Sequence, residues 1–304
     1  MSLHLHSSHF KPPTPTPPTP IPLHHEIHGS GPLLLLIPGG HGTSLLFSSL
    51  AKHLASHFRV VTYDRRGYHR SSSLPHPQPG TAIATHAADL AALIRHVRAT
   101  PTEKAIVFGS SWAGYIAITL LASSPSLVSR VLVHEPVFLS VLPDKTQSSL
   151  RCQIQGMLET YKERGTAAAN RLLMPALSSA GDREEFVKSD AYAGVATQPH
   201  CFGAWFETEF GEALTFRVPL DGLARADCGA KLVLLRGDDA DAPVFSTSPV
   251  VRLSGLLGIP CGIVPGGHMG YVTRQKDFAD ALTGILEGAN EKQAGAGTVV
   301  TARL

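Results

Sequence analysis

The sequence predicts an α/β protein in which helices cover both faces of a mostly parallel sheet. Short, continuously apolar segments such as AIVFG and RVLVH alternate with segments whose apolar residues recur at helical spacing. Uninterrupted apolar strands are typical of a sheet buried on both faces, and right-handed crossovers place the helices outside it. With 304 residues, of which 43% are hydrophobic, the chain is long enough to form such a core.

The first part of the chain begins with a proline-rich segment. Residues 1–22 include KPPTPTPPTPIP and are predicted to be a flexible leader, because proline favours an extended backbone outside sheets. HHEIH and PLLLLIP then flank GSG, which predicts a hairpin between two strands. Residues 23–140 continue the alternation with a leucine-rich helix, the strand FRVVTYD, an alanine-rich helix, and the strands KAIVFG and RVLVH.

The alternation is interrupted over residues 141–220. This segment has apolar residues at helical spacing and the aromatic stretch CFGAWFETEF, and we predict a helical cap inserted over the sheet edge. KLVLLRG, VVRLSGLLG, CGIVPGG and FADALTGIL resume the strand and helix pattern over residues 221–288. The last segment, residues 289–304, is rich in small residues without periodicity, and a disordered tail is predicted there.

Composition excludes several kinds of partner. The net charge is +2 and the basic residues are scattered, so we predict no nucleic-acid surface. No apolar run is long enough to cross a membrane, and no secretory signal is visible. The four cysteines form no C-x-x-C pair, which is typical of reduced, buried thiols in a cytoplasmic protein. Six of the sixteen histidines lie before residue 29 without clustered acidic or thiol partners, so we predict solvated histidines there and no metal site.

The segment AIVFGSSWAGYIAITLLA places two serines between a buried strand and a helix. A turn this sharp requires small residues two positions before and two after its apex, as in the G-x-S-x-G frame of serine hydrolases. Gly109 and Ala113 occupy those positions around Ser111, whereas Ser110 would have Phe108 on one side. Ser111 is therefore the predicted nucleophile, and a simple N-cap serine is the alternative.

A serine nucleophile requires a base and an acid that orients the base. His268 follows an apolar strand in GIVPGGHMGYV and is the predicted base. Two places along the chain offer the acid. Glu135 ends the strand that follows the serine strand, and Asp238, Asp239 and Asp241 follow the next strand beyond the cap. Both positions fit the chain order of serine, acid and histidine.

An oxyanion hole requires two backbone N–H donors. One is predicted to be Trp112, the residue after the nucleophile. The other is predicted in IPGGHG after the first apolar strand, where Gly40 is the best candidate and His41 follows it. This loop lacks the lysine and the glycine spacing of phosphate-binding loops.

These motifs resemble the α/β-hydrolase fold with a helical cap, and the resemblance runs from about His24 to Glu287. It rests on HGSGPLLLLIPGG, VVTYDRRGYHRSS, VFGSSWAGYIA, VLVHEPV, WFETEF and VPGGHMGYV. Within this fold, the HEP element is similar to zearalenone lactonase-like hydrolases, whose triad acid is a glutamate at this strand end. The resemblance therefore implies Glu135 as the acid, with Asp241 or Asp239 as the alternative.

The resemblance implies a serine hydrolase for an ester or lactone of a small to medium, apolar molecule such as a secondary metabolite. It implies no metal and no organic cofactor, a small-molecule substrate as partner, and a pocket lined by His41 and the cap aromatics Trp205, Phe206 and Phe210. Ordinary core packing is the alternative for these aromatics. Other chemistries of the same fold stay open: carbon–carbon bond hydrolysis, cyclisation, acyl transfer, and non-catalytic ligand binding. The sequence leaves the oligomeric state open.

Overall fold

A seven-stranded sheet forms the centre of the computed structural model, which describes residues 23–295. Its strand order is β1-β3-β2-β4-β5-β6-β7, and every neighbouring pair except β1 with β3 is parallel. The fold class predicted from the sequence is thereby confirmed. The predicted leader lies outside the described residues. The strands are β1 (His25–His28), β2 (Leu33–Ile37), β3 (Arg59–Tyr63), β4 (Ala105–Ser110), β5 (Val128–His134), β6 (Leu232–Gly237) and β7 (Cys261–Val264).

The hairpin predicted between β1 and β2 is wrong. β1 pairs antiparallel with β3, with His25 opposite Tyr63, and β3 lies between β1 and β2. The physical reason lies in the connecting loop. Gly29 and Gly31 have φ values of 74° and 112°, and a Cβ on Gly29 would lie 2.1 Å from the carbonyl oxygen of Ala55. The loop therefore packs closely against the chain that enters β3, and this carries β1 to the far side of β3.

Both faces of the sheet are buried. Leu33, Leu35 and Ile37 of β2 belong to one hydrophobic cluster, and the alternate residues Leu34 and Leu36 belong to the other. The period of two along a strand therefore divides a continuous apolar run between two cores. Helices α1 (Ser48–Leu54), α2 (Ala82–Val97) and α3 (Trp112–Ser123) connect the first strands. Short 3-10 helices cover Ser44–Phe47, His69–Ser71, Pro125–Leu127, Leu139–Val141 and Phe210–Leu214.

The chain between β5 and β6 is largely helical. The helices are α4 (Asp144–Leu177), α5 (Ala180–Val187), α6 (Asp190–Ala196), α7 (Pro199–Thr208), α8 (Leu220–Ala224) and α9 (Ala226–Gly229). Helix α4 is kinked at Gly165, whose φ of 77° is not helical. The predicted cap, residues 141–220, falls within this stretch, and its boundaries as a separate domain stay a prediction.

The last part of the chain completes the layers. It contains helices α10 (Val244–Leu257), α11 (Gly270–Thr273) and α12 (Gln275–Gly295). Helix α12 extends into residues 289–304, where we predicted a disordered tail, and residues 296–304 lie outside the described residues. The alanines, glutamate and lysine of this stretch are good helix formers, which explains the continuation. Over residues 23–295, no helix has both the length and the apolar character that a bilayer span needs.

The four cysteines are all free. Cys201 and Cys228 are buried as predicted, but Cys152 is exposed on α4 and Cys261 is half-buried on β7. Only one face of α4 is buried, and Cys152 lies on the face of this helix that is exposed to solvent.

Candidate active site

Ser111 lies at the apex of the turn between β4 and α3. Its backbone has φ 58° and ψ −125°, a conformation that costs energy for a residue with a side chain. The neighbours explain the small residues of the frame. A Cβ on Gly109 would lie 2.6 Å from the carbonyl oxygen of Ala113, and one on Gly114 would lie 2.8 Å from Cβ of Pro136. The turn therefore excludes larger side chains at these two glycines.

The two adjacent serines have different surroundings. Ser110 is buried at the end of β4, and its Oγ lies 2.9 Å from Nδ1 of His134 on the neighbouring strand. Burial lowers the pKa of His134 to about 4, against the opposing effect of the nearby Glu135 carboxylate, so this imidazole is neutral at neutral pH. Ser111 instead is half-buried and faces a small cavity. The structure therefore sets Ser110 aside from the cavity and leaves Ser111 accessible to it.

The structure brings His268 and Glu135 together. Nδ1 of His268 lies 3.0 Å from Oε2 of Glu135, and the two side chains are 3% and 0% exposed. Glu135 follows β5, and His268 lies in the turn after β7, so the contact joins two strand ends on one edge of the sheet. A carboxylate that accepts a hydrogen bond from Nδ1 keeps the imidazole proton on that nitrogen, so Nε2 is free to accept a proton.

Glu135 is held by more than the histidine. Its second oxygen, Oε1, accepts a hydrogen bond from the N–H of Gly237 at the end of β6, 2.9 Å away. Burial by itself would raise the pKa of this carboxyl, but the hydrogen bond from His268, the nearby imidazoles and the Gly237 N–H lower it to about 2. Glu135 also has a positive φ of 41°. Among the described residues the only other non-glycine residues with positive φ are Ser111 and His69.

The alternative acids lie elsewhere. Asp239 is half-buried and accepts a hydrogen bond from the N–H of Asp241, which is exposed. Both line an open acidic cleft of about 480 Å³ on the other side of the turn that carries His268, together with Asp182 and Asp238. Neither aspartate makes a hydrogen bond to His268 within the described part of the chain. This geometry favours Glu135 for the acid.

Oγ of Ser111 and Nε2 of His268, the predicted reacting atoms, have no hydrogen-bond partner within the described residues. Hydrogen bonds between a nucleophile and its base are often long in the free enzyme and tighten only when substrate binds. Both atoms are therefore available for a substrate.

The two predicted oxyanion donors are also free. In the described part of the chain, the backbone N–H of Gly40 and that of Trp112 donate no hydrogen bond. Trp112 begins α3, where the first N–H groups of a helix have no partner within the helix. Gly40 packs against α7, since a Cβ there would lie 3.1 Å from Cε2 of Trp205. A side chain at this position would therefore require Trp205 and Phe202 to shift by a few tenths of an ångström.

The cavity at Ser111 is small and mostly apolar. Its volume is about 20 Å³, which is room for about one water molecule. Two of the predicted pocket residues, Trp205 and Phe210, line it. Its walls are formed by Ser111, Trp112, Tyr115, Val137, Leu173, Leu177, Trp205, Phe210, Ala213 and Phe245.

The other two predicted pocket residues do not line this cavity. Phe206 packs on Trp205 with ring centroids 5.1 Å apart and lines a separate surface groove of about 660 Å³ with Tyr161. His41 stacks on Phe202 with centroids 4.3 Å apart. Burial lowers the pKa of His41 to about 4, so it is neutral in this position. Trp205 and Phe206 share α7, and this helix brings only one side of its aromatic residues to Ser111.

Sequence reasoning missed several residues of the site. Leu173 and Leu177 lie one helical turn apart on α4, and this spacing in the cap was the available signal. His134 and Val137 lie in the VLVHEPV motif, but nothing in the sequence pattern assigns a role to them or to Phe245. Among residues 23–295, no group of three or more histidine, cysteine, aspartate or glutamate side chains is arranged to hold a metal ion.

Comparison with known proteins identifies the family. The α/β hydrolase fold family matches residues 32–194 of this chain, which is more than half of it. The chain therefore belongs to the α/β-hydrolase fold family, and the resemblance predicted from the sequence is confirmed. The relatives described next are named hydrolases and match most of the chain, which supports an enzyme of this family.

Two relatives match most of the chain. An uncharacterized hydrolase of Bacillus subtilis, YraK, is 27% identical over 266 residues, covering 87% of this chain and 92% of its own. The zearalenone hydrolase of Bionectria ochroleuca is 26% identical over 275 residues, covering 86% and 92%. Among solved structures, the enol-lactonase of Burkholderia xenovorans superposes with a TM-score of 0.65 at 17% identity, covering 87% of this chain and 96% of its own. A likeness at that identity concerns the fold.

Proposed function

We propose that this protein is a serine hydrolase that cleaves an ester or lactone of a small to medium, apolar molecule through an acyl-enzyme. The observation that carries the proposal is the contact of Glu135 with Nδ1 of His268, 3.0 Å long and fully buried, on the sheet edge that also carries Ser111. A buried carboxylate on one imidazole nitrogen is the arrangement that makes the other nitrogen a base.

In the proposed reaction, Nε2 of His268 takes the proton of Ser111 while Oγ attacks the carbonyl carbon of the substrate. The carbonyl oxygen becomes an oxyanion that accepts hydrogen bonds from the N–H groups of Gly40 and Trp112. The imidazolium, stabilised by Glu135, then gives its proton to the leaving alkoxide as the carbon–oxygen bond breaks. Water, deprotonated by His268, then attacks the acyl carbon; the bond from this carbon to Oγ breaks, the imidazolium returns its proton to Oγ of Ser111, and the carboxylic acid leaves.

The cavity supports an apolar substrate with oxygen acceptors. Its wall is aliphatic and aromatic, but Nε1 of Trp112 and Nε1 of Trp205 are buried and have no hydrogen-bond partner in the described structure. Buried donors without partners are costly, and we propose that the oxygens of an ester or lactone satisfy them once the substrate has entered. The zearalenone hydrolase and the enol-lactonase similar to this chain carry names of that substrate class.

Substrate entry requires movement, because a cavity of about 20 Å³ is far smaller than a typical ligand pocket. We propose that residues 141–220 act as a cap whose α4 and α7 separate from the Ser111 turn to admit the substrate. The proposal includes a cytoplasmic location, since all four cysteines are free thiols.

The test is covalent labelling of the purified protein with a fluorophosphonate, with the modified residue located by mass spectrometry. The expected result is a single adduct on Ser111 that disappears in Ser111→Ala and His268→Ala. Ser110→Ala is the matched control and should label at the wild-type rate, because its hydroxyl pairs with His134. Hydrolysis of p-nitrophenyl esters and of aromatic lactones should follow the same pattern. A folded protein that is neither labelled nor active on these compounds would refute the proposal.

A further inference from the structure

A buried ion pair joins the cap to the core close to the Gly39–Gly40 loop. Nη1 of Arg65, two residues after β3, lies 2.6 Å from Oε2 of Glu209, which directly follows α7. Both side chains are 0% exposed. Taking two charges out of water is expensive, and a buried ion pair is by itself weak evidence for a gain in stability. A pair in this position is therefore a candidate for a positional role.

The carboxylate of Glu209 is held from three sides. Besides Arg65, its Oε1 accepts a hydrogen bond from the hydroxyl of Tyr68 at 2.5 Å and lies 2.8 Å from Nε2 of His86. The guanidinium of Arg65 in turn lies over the ring of Tyr68, 4.6 Å from its centroid. The guanidinium has little freedom to move, because Glu209 holds its edge and Tyr68 lies on its face. These contacts determine the direction of its second terminal nitrogen, Nη2.

The second terminal nitrogen of Arg65 contacts the Gly39–Gly40 peptide, whose N–H is the proposed oxyanion donor. Its Nη2 donates a hydrogen bond of 2.9 Å to the carbonyl oxygen of Gly39, which also accepts one of 2.9 Å from the N–H of Gly42. The oxygen of Gly39 and the N–H of Gly40 belong to one peptide unit. In a trans peptide, the form of all peptides in the described chain, these two groups point in opposite directions. Fixing the Gly39 oxygen therefore fixes the direction of the Gly40 N–H.

We infer that Arg65 is a positioning residue that orients the Gly39–Gly40 peptide, and that Glu209 of the cap holds Arg65 in place for this purpose. Glycine on both sides of the peptide bond makes the loop easy to rotate, which is why it needs an external constraint. The inference rests on the proposed function in one respect, the use of the Gly40 N–H as an oxyanion donor. It links the closed cap to the geometry of catalysis across 144 residues of chain.

The experiment compares Arg65→Met and Glu209→Gln with the wild type and with Arg66→Met. Arg66 is the matched control, because it is adjacent in sequence and also ion-paired, with Asp89 at 2.5 Å, but it does not contact Gly39. Glu209→Gln keeps an oxygen for Tyr68 and His86 and is the milder variant if Arg65→Met fails to fold. Two readouts are taken well below the unfolding temperature: kcat and KM on a p-nitrophenyl ester, and the amide resonance of Gly40 in protein labelled with 15N-glycine.

The expected result is a fall in kcat of about 100-fold in Arg65→Met, with KM changed less than about threefold, because a misdirected oxyanion donor acts only in the transition state. The Gly40 amide resonance should shift or broaden in Arg65→Met and Glu209→Gln and stay unchanged in Arg66→Met. A purely structural role would lower the unfolding temperature without this split between kcat and KM.

Two outcomes separate the inference from the proposed function. If the wild type hydrolyses esters and both Arg65→Met and Glu209→Gln keep kcat and the Gly40 resonance, the inference is overturned and the hydrolase stands. If the wild type neither hydrolyses esters nor reacts with fluorophosphonates, the proposed function fails. In that case a Gly40 resonance that moves in Arg65→Met and not in Arg66→Met still supports the positioning role.

Discussion

Replacing Glu135 with glutamine tests the catalytic arrangement most directly, because it removes one charge and keeps the shape. The Gly237 N–H is a donor and will hold the amide oxygen, so the amide NH2 must face Nδ1 of His268. His268 is then forced to carry its proton on Nε2, where it cannot act as a base towards Ser111. The imidazolium formed during the reaction also loses its counter-charge.

The size of the effect follows from the geometry. With the oxygen and nitrogen 3.0 Å apart, the charge centres of the Glu135–His268 pair are about 4 Å apart, which corresponds to about 4 kcal/mol at an effective dielectric of about 20. That free energy corresponds to about a 1,000-fold fall in kcat. Because His268 protonated on Nε2 cannot act as a base, the expected fall in kcat increases to about 10,000-fold. KM should change little, since Glu135 is buried behind His268 and does not line the cavity at Ser111.

The assay is steady-state hydrolysis of a p-nitrophenyl ester, with near-ultraviolet circular dichroism and thermal unfolding to establish that the variant is folded. Asp239→Asn and Asp241→Asn serve as controls and should stay within about threefold of the wild type, because both side chains face the open cleft. A folded Glu135→Gln protein with kcat within tenfold of the wild type would refute the assigned role. So would a collapse of kcat in either aspartate variant.

Three further outcomes are expected. Leu173→Ala should enlarge the cavity and raise kcat/KM for esters with longer acyl chains relative to acetate esters, while lowering the free energy of urea unfolding by about 2–5 kcal/mol. An unchanged preference among acyl chains would show that the cavity does not hold the acyl group. Gly109→Ala should destabilise the fold, because its Cβ would meet the carbonyl oxygen of Ala113 at 2.6 Å, whereas Gly284→Ala on α12, with open space around it, should not lower the urea midpoint. The folded pKa of Glu135, about 2, is below its ordinary value of 4.5, so its contribution to stability is present above that value and lost as pH falls towards 2. Glu135→Gln should therefore show a flatter decline of the urea midpoint between about pH 4.5 and 2 than the wild type, and parallel curves would argue against the charged pair.

Local patterns in the sequence were sufficient for most of the sheet and for the turn that carries Ser111. Apolar runs predicted the strands because burial on both faces demands them, and the small residues around Ser111 predicted its turn because larger ones collide with the backbone. The position of β1 could not be predicted in the same way. Its partner depends on how the loop at Gly29 packs on the chain entering β3, and that contact is not local.

By itself, the sequence determined which groups with reactive chemistry end the strands, since the positions of strands along the chain and their ends follow from short-range periodicity. The HEP element already favoured Glu135 over the aspartates, but only the tertiary structure shows its contact with His268, because that contact spans 133 residues and depends on the meeting of two strand ends. The same holds for the pairing of Arg65 with Glu209 and for the nearly filled cavity at Ser111. Such contacts depend on how distant segments of the chain pack together, and no pattern within one segment encodes the partner that lies in another.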